Sequence, residues 1–133
     1  MNILFLCEMN RFQSKIAEML FNKFNKNNKF FAKSAGLYYG GYRFNSKLLK
    51  VCDEMGINII GRPIKLNKEM WNNFNMIITI SESVKLELTR EDKENGKELI
   101  TWEIEELNGH SEEDMKKVVR QIAGKVRELV NVI

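Results

Sequence analysis

The chain opens on a strand with no polar face. Residues Asn2 to Leu6 read Asn-Ile-Leu-Phe-Leu. Apolar side chains without alternation fit a strand buried on both sides, and such a strand needs a sheet covered by helices front and back. Polar residues follow as far as Ser14, where helical spacing takes over. Ile16, Ala17, Leu20, Phe21 and Phe24 recur at three and four, with Ser14 as the expected N-cap.

The same alternation continues. A second strand is expected over Phe30 to Lys33, ending at Ser34-Ala35-Gly36, and a glycine-rich loop over Gly36 to Gly41. Asn45 then caps a helix with Leu48, Val51, Cys52 and Met55 on one stripe and Gly56 as its stop. Ile57 to Leu66, with the only proline at Pro63, reads as irregular connection. A short helix over Lys68 to Asn72 precedes a third strand, Met76 to Ile80. Ser81 or Ser83 starts a further helix carrying Val84, Leu86 and Leu88, and a fourth strand fits Glu98 to Trp102. From Ser111, Met115, Val118, Val119, Ile122, Ala123, Val126, Leu129 and Val130 form the clearest apolar stripe, and Ser111 with Asp114 resembles a capping box. Strands alternating with helices predict right-handed βαβ units. The expected class is α/β: one three-layer domain over residues 1–133, with a four-stranded parallel sheet flanked by helices.

Composition narrows the partners. With 133 residues, 44% hydrophobic and 29% charged, the chain fits one soluble globular domain. A net charge of +3 with acids nearly as numerous as bases does not call for nucleic acid. The most basic stretch, Asn22 to Lys33, reads as a solvated helix end and loop. No apolar run approaches membrane-spanning length, and the first strand starts so near Met1 that no signal peptide is expected. Cys7 and Cys52 lie too far apart, in too sparse a set, to read as a disulfide framework, so a reducing cytoplasm is the expected setting. Cys52 sits on an apolar helical stripe and reads as a small core residue.

The chemistry points to the first loop. In open parallel sheets, sites form beyond the carboxyl ends of the strands, where loops feed helix N-termini. Cys7-Glu8-Met9-Asn10-Arg11-Phe12-Gln13-Ser14 occupies that place. Such a loop can turn the backbone N–H groups of Glu8 to Ser14 inward as an anion-binding nest, reinforced by the helix dipole. A cysteine at its start faces the bound anion, and the same N–H groups favour the thiolate. This suits nucleophilic attack on phosphorus or arsenic. Glu8, if its charge lies close, opposes ionisation.

Leu4-Phe5-Leu6-Cys7-Glu8-Met9-Asn10 followed by Ser14-Lys15-Ile16-Ala17-Glu18 resembles the N-terminal signature of low-molecular-weight phosphotyrosine phosphatases and thioredoxin-type arsenate reductases. Further pieces agree in order: Ser34-Ala35-Gly36, Met55-Gly56-Ile57 through Gly61-Arg62-Pro63, Met76 to Ser81, and Trp102-Glu103-Ile104-Glu105-Glu106 in the place of the family's aspartate-proline loop. The resemblance implies that Cys7 is the nucleophile that takes up the phosphoryl group. It implies that Asn10, Ser14 and Ser34 hold the loop and assist the thiolate, with no cofactor or metal. Partners implied are phosphate or a phosphorylated small molecule or protein, with no nucleic acid and no membrane, and the chain as a monomer or weak dimer.

The chain also departs from that family. The family pattern is cysteine, five residues, then arginine and serine or threonine; here Ser14 is in register and Gln13 stands in the arginine's place. An arginine offers a fixed charge and a planar fork, whereas a glutamine amide offers two neutral donors. Losing a single arginine that stabilises phosphoryl transfer costs about 10³ to 10⁵ in rate. Arg11 is the nearest substitute, two positions early, with Arg43 and Arg62 further off. Glu106-Leu107 replaces the aspartate-proline pair, making Glu106, ahead of Glu105, the expected general acid. His110 reads as a loop residue. No cysteine follows the third strand, so the arsenate reductases' disulfide relay is missing. Tyr38, Tyr39 and Tyr42 with Phe44 cluster in the loop after Gly36, where they can wall a pocket. Three functions follow: a phosphomonoester hydrolase of reduced activity, an oxyanion- or phosphoprotein-binding module without turnover, and an arsenate reductase-like redox protein using Cys7 with Cys52 or an external thiol.

Overall fold

A computed structural model gives the fold, and the structure describes residues 2–8, 12–38, 44, 46–80, 96–105 and 111–133. Four strands, β1 (Asn2–Cys7), β2 (Phe31–Gly36), β3 (Met76–Ile80) and β4 (Glu98–Trp102), form one sheet in the order β2-β1-β3-β4. All neighbours are parallel. The helices are α1 (Gln13–Phe24), α2 (Ser46–Glu54), α3 (Lys68–Asn73) and α4 (Glu112–Val132). The expected α/β architecture is present.

The unalternating first strand has the predicted cause. Ile3, Phe5 and Cys7 pack into one apolar cluster with Ile16, Leu20 and Phe21 of α1, Leu48 and Cys52 of α2, and Val119 and Ile122 of α4. Leu4 and Leu6 point the other way, into a cluster with Ala35, Ile77, Trp71 of α3 and Phe74. Period-two geometry therefore sends alternate residues of β1 into two separate cores. On the α1 side, Phe5 meets Trp102 with ring centroids 5.4 Å apart and Phe21 at 6.2 Å.

Two boundaries move. β2 covers Phe31–Gly36, starting one residue later than expected and taking in the whole of Ser34-Ala35-Gly36, because the ladder with β1 continues through Ser34 opposite Phe5, Ala35 opposite Leu6 and Gly36 opposite Cys7. α1 begins at Gln13, with Phe12 in the capping position and no side-chain cap. Ser14 is thus inside the first turn and is not the N-cap, because its hydroxyl is engaged elsewhere. Other stops and starts fall as expected. Asn67 caps α3 through Oδ1, which accepts from the Met70 N–H at 2.8 Å. Ser111 caps α4, its Oγ accepting from the Asp114 N–H at 3.1 Å. Gly56, at φ +73°, closes α2: its N–H donates to Asp53 O, and the Ile57 N–H reaches back to Cys52 O at 2.8 Å. This paired closure needs the left-handed conformation that glycine supplies. Asn45 and the helix expected from Ser81 or Ser83 lie outside the described residues. Among the described residues, no helix is long and apolar enough to cross a membrane.

Candidate active site

The sheet delivers Cys7 to the carboxyl end of its central strand β1, where the side chain is 5% exposed. The ladder does not stop there. Leu37 N–H donates to Cys7 O at 3.0 Å, and Tyr38 N–H to Glu8 O at 2.9 Å. These bonds clamp the start of the loop against the segment leaving β2. At its far end, Ile16 N–H donates to Phe12 O at 2.9 Å, so the loop runs directly into helix. Met9, Asn10 and Arg11 lie outside the described residues, as do Arg43, Glu106 and His110.

The two ends of the loop meet. Cys7 Sγ and Ser14 Oγ are 2.8 Å apart in a buried hydrogen bond. Either atom can donate in the neutral pair, but once the thiol is ionised only the serine hydroxyl carries the proton. Ser14 is held by the first turn of α1, so the geometry comes from the helix.

Ser34 lies next door and brings in two residues that the sequence reading left unused. Its hydroxyl donates to Glu18 Oε1 at 2.6 Å. Glu18 in turn pairs with Lys15 Nζ at 3.5 Å, the two residues being 5% and 4% exposed. Ser14 and Glu18 are one helical turn apart and face the same strands. A lysine and a glutamate three apart usually mark a solvated helix face, so their burial was hidden in the pattern. The signal that could have found them is their place: both fall within the first turn and a half of the helix that begins at the loop.

Gln13 does not stand alone either. Its Nε2 donates to Glu105 O at 3.5 Å, across to the segment leaving β4. Glu105 is also tied to α4: its N–H donates to Gln121 Oε1 at 3.0 Å, and its carboxylate accepts from Gln121 Nε2 at 3.0 Å and pairs with Lys117 Nζ at 3.2 Å. Glu105 therefore anchors the β4 exit, which separates it from the role of an acid held ready for a leaving group.

The remaining residues sort by place. Tyr38 is 45% exposed beside the loop, whereas Phe44 packs against the larger core cluster; Tyr39 and Tyr42 are outside the described residues. Arg62 is exposed. Cys52 is buried in the apolar cluster, and burial pushes its thiol up to about 11. Neither cysteine is in a disulfide. At the opposite end of α1, Lys23 and Lys26 with Arg127 line a shallow cavity, and Lys23 Nζ donates to Gly56 O at 2.9 Å. Among the described residues, no group of three or more His, Cys, Asp and Glu is placed to hold a metal ion.

The sequence profile of low molecular weight phosphotyrosine protein phosphatase matches residues 2–133. The chain belongs to this family. Solved structures agree with the assignment. The low molecular weight protein tyrosine phosphatase of T. tengcongensis is 27% identical, with a TM-score of 0.87 over 100% of this chain and 99% of that one. The arsenate reductase of Archaeoglobus fulgidus is 28% identical, with a TM-score of 0.78 over 97% of this chain and 98% of that one. A YwlE mutant from Bacillus subtilis, at 17% identity and a TM-score of 0.88 over 98% and 97% of the two chains, shares the fold. No curated protein matches the sequence. The structural neighbours thus include both phosphatases and an arsenate reductase.

Proposed function

We propose that the chain is a phosphomonoester hydrolase that works through a phosphocysteine on Cys7, at a rate lowered by Gln13. The contact between Cys7 Sγ and Ser14 Oγ at 2.8 Å carries this reading. A buried thiol that merely filled the core has no need of a hydroxyl donor fixed on a helix N-terminus. Family membership over residues 2–133 supports the same chemistry.

In the proposed first step, the Cys7 thiolate attacks phosphorus. The sulfur–phosphorus bond forms, the bond to the leaving oxygen breaks, and that oxygen takes a proton from Glu106. Backbone N–H groups of residues 8 to 14, including those of Glu8, Met9, Asn10, Arg11, Phe12 and Gln13, surround the phosphoryl oxygens. In the second step, Glu106 as carboxylate takes a proton from water, the water oxygen bonds to phosphorus, and the sulfur leaves as thiolate held by Ser14. Asn10 and Ser34 hold the loop. The substrate is a phosphorylated small molecule or protein, the setting is the cytoplasm, and the chain acts as a monomer or weak dimer.

The test is hydrolysis of an aryl phosphate by the pure protein and by Cys7→Ser. Turnover that disappears in the variant supports the reading, and equal rates overturn it.

A second reading, an oxyanion-binding module without turnover, draws on the bond from Gln13 to Glu105 O, which turns the amide toward the β4 exit. In that case phosphate binds saturably, Ser14→Ala weakens it, and no hydrolysis accompanies binding. The redox reading is weaker, since the raised thiol pKa of Cys52 disfavours the ionised form that exchange requires.

A further inference from the structure

The chain contains only two glutamines, Gln13 and Gln121, and both converge on Glu105. Gln121 holds it firmly, through two bonds of 3.0 Å to the backbone N–H and the carboxylate. Lys117 adds an ion pair at 3.2 Å. Gln13 holds the same residue loosely, through one exposed bond of 3.5 Å to the backbone carbonyl. A neutral bond of that length, open to water, is at the weak end of what such contacts contribute. Gln121 and Lys117 thus fix the Glu105 N–H and carboxylate to α4, while its carbonyl depends on the bond from Gln13.

Gln13 is the first residue of α1 and the immediate neighbour of Ser14, whose hydroxyl meets Cys7 Sγ. Its side chain therefore starts at the wall of the anion cradle. A carboxamide N–H gains more from a charged oxygen than from a peptide carbonyl, because charge-assisted bonds are about twice as strong as neutral ones. An anion arriving in the cradle competes for the N–H that now points at Glu105.

We propose that Gln13 is a positioning residue that trades the Glu105 carbonyl for the bound anion, coupling occupancy of the cradle to the segment leaving β4. The inference rests on the phosphatase reading, because it needs an anion beside Cys7. It gives the Gln13 substitution a consequence beyond a lost charge: Glu105 directly precedes Glu106, so the proposed acid follows a residue that senses whether the cradle is filled.

Inorganic phosphate titrated into isotope-labelled protein tests this by NMR. Backbone amides of residues 7–14 report binding, while the side-chain amide of Gln13 and the carbonyl carbon of Glu105 report the trade. All three sets are expected to move with one midpoint. In Gln13→Ala, the Glu105 carbonyl should begin near its phosphate-bound position and stop responding, with the phosphate midpoint moved by no more than about tenfold. If the loop amides saturate while Gln13 and Glu105 stay still, the coupling is wrong and the phosphatase reading stands. If the loop amides do not respond at all, both fail. A Glu105 carbonyl unchanged by Gln13→Ala in the free protein removes the latch itself.

Discussion

Cys7 Sγ lies 2.8 Å from Ser14 Oγ although the two residues are seven positions apart in the chain. An extended segment of that length spans about 20 Å or more, so the fold brings the two ends of the loop back together. One end is pinned by Leu37 and Tyr38 N–H groups and the other by the first turn of α1. The serine hydroxyl is thereby fixed against the sulfur, within hydrogen-bond distance of it. Ser14→Ala is expected to slow aryl phosphate hydrolysis by about 10- to 100-fold, the worth of one hydrogen bond to a charged group. Ser14→Thr should keep most of the activity. Steady-state rates of the two variants, with circular dichroism to show that they fold, check this.

Gln13→Arg restores the fork and fixed charge of the family pattern. Turnover is expected to rise by about 10³ if the missing arginine is the main deficit. An unchanged rate in a folded variant points instead to the acid loop, where Glu106-Leu107 replaces aspartate-proline.

The fold was legible because its signals are local. β3 and β4 fall at the residues where apolar runs place them, Met76–Ile80 and Glu98–Trp102. Gly56 and Ser111 end and begin helices by chemistry that a few neighbouring residues specify. Cys7 was legible as a candidate because the loop lies where a parallel sheet gathers its sites, and Ser14 and Ser34 only through the resemblance to the family. The misplaced features depend on contacts distant in sequence. Ser14 looked like an N-cap because its partner, Cys7, is met only in the folded chain. The burial of Lys15 and Glu18 was not legible because nothing near them in sequence announces that Ser34 will meet the glutamate. Glu105 looked like a spare acid until Gln121 and Lys117, a dozen or more residues on, were brought beside it.

The buried pair gives a stability prediction. Glu18→Ala leaves Lys15 without its Glu18 counter-charge and removes the bond that Ser34 donates to Glu18, both inside the protein. A loss of about 3–5 kcal/mol is expected, as for a buried pair broken on one side. The double change Lys15→Met with Glu18→Leu should recover much of it, because no buried charge remains. Urea unfolding of the two variants decides the point; equal losses contradict it.

Cys52 gives a pH dependence. Its folded pKa of about 11 lies above the value of an unfolded thiol. The unfolded chain therefore gives up this proton first as pH rises. The stabilising contribution is complete below the unfolded pKa, declines above it, and is gone once pH passes the folded value. Between pH ~8.5 and about 11, stability should fall by roughly 1.4 kcal/mol per pH unit from this thiol. Cys52→Val removes that share of the alkaline decline. Unfolding curves of the two proteins that decline in parallel over this range contradict it.

The proposed role of Cys7 is tested most directly by the rate of thiol alkylation in the folded protein, followed by mass spectrometry with and without phosphate. Cys7 is expected to be labelled rapidly, and saturating phosphate should slow that labelling, while Cys52 reacts only after unfolding. If Cys7 is labelled no faster than Cys52 and phosphate makes no difference, the sulfur is a core atom and the catalytic reading is wrong.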